Sequence, residues 1–286
     1  MNAARVAVDP RTVRDTLRNA RLHARHSLSQ NFLVDVDVLD AILAAASPAP
    51  GRRVLEVGPG LGILTGALLG AGAAVTAVEL DSGLVALLRA TFEAERESGQ
   101  LTLVEGNVLD EDLSALMEPP FDVVANLPYH ITSPTLHRLL DLNVPPERLV
   151  LMVQREVAER IAAKPGQMSY LSVFVQYHAR VRIERIVLQA AFEPAPEVES
   201  AVLLLETNPD ARPLPAERED ELWRLVQASF RERRKMLHNV LSRQLPMPAE
   251  RVLAALEAAG IAPDRRPQTV SVGDWIKLLE AIRPLP

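Results

Sequence analysis

The chain has 286 residues, 48% of them hydrophobic, with a net charge of −6, six histidines and no cysteine. Such a length and apolar content support one or two globular domains with a real core, and the missing thiols exclude disulfides and thiolate metal sites. No apolar run reaches the roughly 20 residues of a membrane span, and the Arg-rich N-terminus lacks the apolar stretch of a secretory signal.

Arg11, Arg14, Arg18, Arg21 and Arg25 open the pattern at gaps of 3, 4, 3 and 4. This spacing predicts one helix with a guanidinium face, either solvated or set against backbone phosphates, and a second stripe of Val13, Leu17, Ala20 and Ala24. From Arg53 the chain alternates. RVLEV (53–57), AVTAVEL (74–80), LTLVE (101–105), FDVVA (121–125) and RLVLMV (148–153) read as strands. GILTGALLGAG (62–72) reads as a helix, as does the stretch after Ser82, which is expected to cap it. Apolar strands alternating with helices predict a mostly parallel α/β sheet covered on both faces. FVQYHARVRIERIVL (174–188) and AVLLLE (201–206) predict an antiparallel pair at one sheet edge. After the Pro-rich stretch 208–217 only helices are expected, at 218–232, 234–244, 249–259 and 271–282. The predicted organisation is a basic N-terminal helical extension (1–30), a Rossmann-like α/β domain (31–207) and a small all-α domain (208–286).

EVGPGLG (56–62) places Gly58, Gly60 and Gly62 between a strand and a helix. Glycines let the backbone approach a ligand, and the helix start offers N–H groups. Glu79, at the end of the next strand, can accept hydrogen bonds from a ribose diol. Both NAD and S-adenosylmethionine (SAM) carry such a diol. The G-x-G-x-G spacing with Glu56 before it resembles the first motif of SAM-dependent methyltransferases.

In FDVVANLPYH (121–130), Asn126 ends a strand at the sheet's carboxyl edge, with Pro128 and Tyr129 beyond it. Asn-Leu-Pro-Tyr resembles the [DNS]-P-P-Y motif of amino-group methyltransferases. An exocyclic amine is a poor nucleophile because its lone pair is delocalised. Acceptance of its two N–H bonds by Asn126 Oδ1 and the Leu127 carbonyl would aim that lone pair at a methyl donor by positioning and electrostatics. The Tyr129 ring offers a stacking face. A catalytic His130 or His137 is not required, because the product proton can leave to water.

Four further stretches, HSLSQNFLVD (26–35), MVQREVAERI (152–161), FEPAPEVESAVLLL (192–205) and FRERRKMLHNVL (230–241), occur in the order found in ribosomal RNA adenine dimethylases. Over about 26–282 the chain resembles the bacterial small-subunit (16S) rRNA adenine N6,N6-dimethyltransferases. The resemblance implies a class I SAM-dependent methyltransferase sheet, mostly parallel with one antiparallel edge strand, and a helical C-terminal domain. It implies that Asn31 and Leu33 contact SAM from above, that Gly58 and Gly60 lie beneath it, and that Glu79 holds its ribose. Asn126 with Leu127, Pro128 and Tyr129 would hold the target adenine, and Phe192 would stack on its other face. Asn107 takes the place of an aspartate usual in the family. It is therefore a neutral partner for the cofactor adenine, where a charge-assisted bond would be about twice as strong, and weaker SAM binding is expected. Ser29 replaces a usual glycine.

The implied partner is small-subunit rRNA within a pre-30S particle. The implied product cofactor is S-adenosylhomocysteine (SAH), and the implied state is a cytoplasmic monomer without a metal ion. Net negative charge does not forbid RNA binding, because cations cluster locally. Arg231, Arg233, Arg234 and Lys235 are expected to meet phosphates from a helix start. Two other readings stand beside this one: an amino methyltransferase acting on DNA adenine or a glutamine amide, and a non-catalytic assembly factor.

Overall fold

The structure, a computed structural model, describes residues 9–25, 30–207, 213–232 and 234–282. Its contacts divide into two compact units, one of 1–158 with 180–209 and one of 159–179 with 210–286. The segment 159–179, assigned to the sheet domain by sequence, thus groups with the C-terminal helices.

The first unit opens with α1 (Pro10–Asn19), which is capped at its start by Asp9 and buries Val13 and Leu17. The predicted arginine helix ends sooner than its spacing suggests. Arg21 adopts a left-handed φ of 56°, and Leu22 N donates to Leu17 O while Arg21 N donates to Arg18 O. These bonds form a Schellman stop without the usual glycine, so the sequence shows no break. Only Arg11, Arg14 and Arg18 lie on the helix, and the five-guanidinium face does not form.

The strands are β1 (Phe32–Leu33), β2 (Arg53–Val57), β3 (Ala74–Glu79), β4 (Leu101–Glu105), β5 (Asp122–Asn126), β6 (Arg148–Gln154), β7 (Ala179–Val187), β8 (Phe192–Glu193) and β9 (Ser200–Thr207). Seven of them form a sheet of order β4-β3-β2-β5-β6-β9-β7. The β2–β3, β3–β4, β2–β5 and β5–β6 pairs are parallel, and β9 runs antiparallel to β6. The antiparallel strand sits one place in from the edge strand β7. β1 and β8 form a separate antiparallel pair, with Leu33 opposite Phe192. Because β2 pairs with β3 on one side and β5 on the other, the winding reverses there, and a crevice opens at the carboxyl ends of these strands.

Helices α2 (Val36–Ala46), α3 (Ile63–Gly70), α4 (Ser82–Thr91), α5 (Glu93–Glu97), α6 (Leu113–Leu116), α7 (Thr132–Leu140) and α8 (Arg155–Ile161) follow their strands. The cap of α4 is Asp81, not Ser82. Its carboxylate accepts from Gly83 N at 2.9 Å, and Ser82 is the first helical residue. One core joins Val13, Leu17, Phe32 and Phe192 to the strand residues Val54, Val75, Val124 and Val150.

In the second unit α9 (Tyr170–His178) starts at a Ser169 capping box and hands over to β7 at Ala179. The sequence reading of 174–188 as continuous strand fails at 174–178. Nearly every side chain of α9 is buried, so no polar face marks a helical period. The remaining helices are α10 (Ala216–Phe230), α11 (Leu237–Gln244), α12 (Ala249–Ala258) and α13 (Val272–Ile282). They enclose Leu222, Leu225, Leu241, Leu256, Trp275 and Leu278.

Candidate active site

The carboxyl ends of β2, β3 and β5 open into a cavity of about 190 Å³. Gly58, Gly60, Glu79 and Asn107 line it, as do Asn31 and Leu33 from the β1 segment. Asn126, Leu127, Pro128 and Tyr129 complete the wall. Residues from five stretches of the chain that the sequence could only suggest as a group therefore share one space.

The glycine turn owes its shape to left-handed backbone, with φ of 68° at Gly58, 59° at Gly60 and 82° at Gly62. The three glycines differ in role. A Cβ on Gly58 would meet only Pro128 Cδ, at 3.9 Å, so this position leaves room at the cavity floor. A Cβ on Gly60 would lie 3.3 Å from the Phe32 ring, which covers the turn from above. Gly60 N donates to Glu79 Oε2 at 3.1 Å, and Asp81 N donates to Glu79 Oε1 at 2.9 Å. Glu79 is thereby fixed at the end of β3.

Two carboxyls are buried in this lining. Burial pushes Glu56 up to about 8, and the Thr65 hydroxyl, 2.7 Å from its Oε2, pulls the other way. Burial also raises Glu79 above its ordinary range, opposed by the N–H groups of Asp81 and Gly60. A ligand bearing positive charge would favour the ionised form of both, and SAM is such a ligand. The glycine turn, the acid at the β3 end and the room above Gly58 fit it as well.

Asn126 closes β5, where Leu127 N donates to Met152 O at 3.1 Å and carries the strand ladder one step further. Its carboxamide is oriented by the chain's own roof: Nδ2 donates to the Asn31 carbonyl at 3.1 Å. With the nitrogen committed there, Oδ1 is the atom left to accept. The Tyr129 hydroxyl lies 2.9 Å from Ser200 Oγ, which anchors the half-buried ring; burial raises the phenol above its ordinary range, and the Ser200 hydrogen bond opposes that rise. Ser200, Thr65 and Asp81 are supporting residues that the sequence reading missed. Leu80, 54% exposed at the cavity rim, and Val108 were missed too.

Other candidates are placed differently. Phe192 is only 4% exposed and belongs to the core opposite Leu33, outside the cavity lining, so its expected stacking face is not presented. His130 lines the cavity, whereas His137 is part of α7, where burial lowers its pKa. Asn107 is bound into its own turn: Oδ1 accepts from Leu109 N at 3.1 Å and Nδ2 donates to Asp110 Oδ2 at 2.8 Å. An aspartate here would face Asp110 across a hydrogen-bond distance. Asn107→Asp alone is therefore expected to bind SAH no better than the parent. Adding Asp110→Asn restores the pair and should tighten SAH about three- to tenfold. Calorimetric titration of both variants checks this, and a single substitution that tightens binding would show the pairing to be irrelevant.

The basic cluster lies in the second unit. Arg231 caps the C-terminus of α10, and Arg234 and Lys235 are exposed in the turn before α11; Arg233, like Ser29, lies outside the described residues. The cluster follows a helix end where a helix start was expected, which is the end at which cations are favoured. Arg231 donates to Gln244 Oε1, and Glu232 is taken up by Arg243.

Comparison with known proteins bears on the fold and the family. The family described as ribosomal RNA adenine dimethylase matches residues 21–283. The ribosomal RNA small subunit methyltransferase A of Geobacter sulfurreducens is 42% identical, across 93% of this chain and 98% of its own length. Its counterpart in Anaeromyxobacter sp. is 43% identical, across 90% and 93%. Among solved structures, a dimethyladenosine transferase from Plasmodium falciparum aligns with a TM-score of 0.73 at 27% identity, over 86% of this chain and 95% of that one. The 23S rRNA methyltransferase ErmE aligns with 0.71 at 27%, over 88% and 99%.

Proposed function

The chain belongs to the ribosomal RNA adenine dimethylase family, and on that premise we propose that it methylates the exocyclic N6 of two adjacent adenosines in small-subunit rRNA. It is a SAM-dependent rRNA adenine dimethyltransferase. The finer reading is that it acts on an assembling 30S particle during ribosome biogenesis, as a cytoplasmic monomer that uses no metal ion. No helix among the described residues is long and apolar enough to cross a membrane.

One observation carries the mechanism: Asn126 Nδ2 is held by the Asn31 carbonyl, so that Oδ1 is the acceptor at the cavity wall. When bound, SAM supplies a methyl group on a sulfonium. Glu79 and the turn at Gly58 and Gly60 would hold it. Asn126 Oδ1 and the Leu127 carbonyl would accept the two N–H bonds of the target amine, which turns its lone pair outward for attack. Tyr129, steadied by Ser200, would support the base after it leaves its stack. No strong base is needed, since the proton is acidic once nitrogen carries the new bond and can pass to water.

Labelled SAM offered with unmethylated small subunits, free rRNA and duplex DNA tests this reading. Label is expected in the small-subunit RNA; label in DNA alone would overturn it. Tight particle binding with no label would favour an assembly factor. For the basic cluster, Arg234→Ala with Lys235→Ala should weaken particle binding and reduce the salt slope by about 0.7–0.9 per lost phosphate contact. An unchanged affinity and slope would remove RNA contact from this turn.

A further inference from the structure

Three arginines of the N-terminal segment, Arg14, Arg18 and Arg25, have carboxylate partners within the first unit. Arg14 Nη1 lies 2.9 Å from Glu193 Oε2 on β8, Arg18 pairs with Asp15, and Arg25 Nε lies 3.2 Å from Asp81 Oδ2. Asp81 is 3% exposed and receives more than the arginine: Gln30 Nε2 donates to the same Oδ2 at 3.3 Å. Arg25 and Gln30 are also tied to each other, since Arg25 N donates to Gln30 Oε1 at 2.8 Å. The Oδ1 of Asp81 caps α4 through Gly83 N, and its backbone N–H holds Glu79.

The segment that follows Gln30 is the cavity roof. Asn31 orients Asn126, Phe32 covers Gly60, and Leu33 pairs with Phe192 of β8. Val34 N donates to Ala191 O. The far edge of the roof is thus held through β8, which α1 braces by the Arg14–Glu193 pair. The near edge is held by side chains on Asp81.

We propose that Arg25 and Gln30, joined to each other and latched on Asp81, form a strap that holds the near edge of the cofactor roof in place. Asp81, Gln30 and Arg25 are positioning residues in this account. An exposed ion pair alone would hold little. Here the acceptor is buried and two donors converge on one oxygen, so the contact is screened less than an exposed pair and fixes both donors at once. The same carboxylate orders the N–H that holds Glu79, so roof and ribose acid share one support. The strap rests on the SAM reading of the cavity and adds a role for a segment whose charge pattern alone left a solvated face and a phosphate contact both open.

The test uses the full-length protein and SAH as the probe. Asp81→Asn keeps a good cap for α4 but turns an amide N–H toward two donors. It should weaken SAH about tenfold, and raise KM for SAM by a similar factor with kcat at saturation unchanged within about twofold. Gln30→Glu, which opposes two carboxylates, should do likewise. The combined variant restores a donor–acceptor pair in the opposite sense and should recover to within about threefold of the parent. Arg25→Ala, at an exposed side chain outside the cavity lining, gives an independent reading, and Arg25→Lys should recover part of the loss. Single variants that bind like the parent, or a combined variant as weak as the summed losses, would overturn the strap. A parent chain that binds no SAH would bring down the cofactor reading and the strap together.

Discussion

Asn126→Ala is expected to slow single-turnover methyl transfer about a hundredfold while SAH affinity falls only a few fold. The carboxamide does two things from one position. Its oxygen stands at the cavity wall as an acceptor, and its nitrogen ties the wall to the Asn31 carbonyl in the roof. Removing the oxygen would take away one of the two acceptors proposed for the target amine. A lost bond of that kind is worth roughly 1–3 kcal/mol, or about one to two decades in rate. Losing the tie loosens the roof, and that part should appear as the modest change in SAH affinity. Asn126→Asp keeps acceptor oxygens but sets one against the Asn31 carbonyl, so its rate should fall between the parent and the alanine variant. Rapid-quench transfer of labelled methyl to unmethylated small subunits measures the rate, and calorimetry measures the affinity. A rate within threefold of the parent would remove Asn126 from the chemistry.

Gly62→Ala is expected to cost about 2–4 kcal/mol of stability, which lowers the melting temperature by roughly 5–10 °C. Gly62 stands at the start of α3 with φ of 82°, where an L side chain is strained. Its Cβ would also lie 2.5 Å from Phe92 Cε2 and 2.8 Å from Leu88 Cδ2. Both neighbours are buried in the core, at 2% and 1% exposure, so neither can swing aside. Gly58→Ala is the contrast. It shares the backbone strain but meets only Pro128 Cδ at 3.9 Å, so its main loss should be in SAH affinity. Thermal unfolding of the two variants separates a packing glycine from a ligand glycine. A Gly62→Ala protein melting within 1 °C of the parent would show that α4 can yield.

Much of the fold was legible because it is written locally. Five apolar runs alternating with helical stretches predict the parallel strands, and the observed β2, β3, β4, β5 and β6 fall within a residue or so of those runs. The glycine turn, Glu79 and Asn126 were legible for a related reason: each is a residue type with unusual chemistry at the carboxyl end of a strand, where the sheet gathers such ends. Boundaries set by tertiary packing were less visible. The stop of α1 at Arg21 uses no glycine, and the helical start of 174–188 has no polar face.

What the sequence by itself determined was the order of the strands along the chain, the glycine turn with the acid that ends the next strand, and the Asn-Leu-Pro-Tyr wall. The tertiary structure alone decided which residues support them. Gln30 and Arg25 meet Asp81, Ser200 meets Tyr129, Asn31 turns Asn126, and Phe192 sinks into the core. Local patterns record periodicity, capping and backbone freedom over a few residues. These partners are about 50 to 100 positions apart and meet only because strand order and the β1–β8 pairing bring distant loops to one edge.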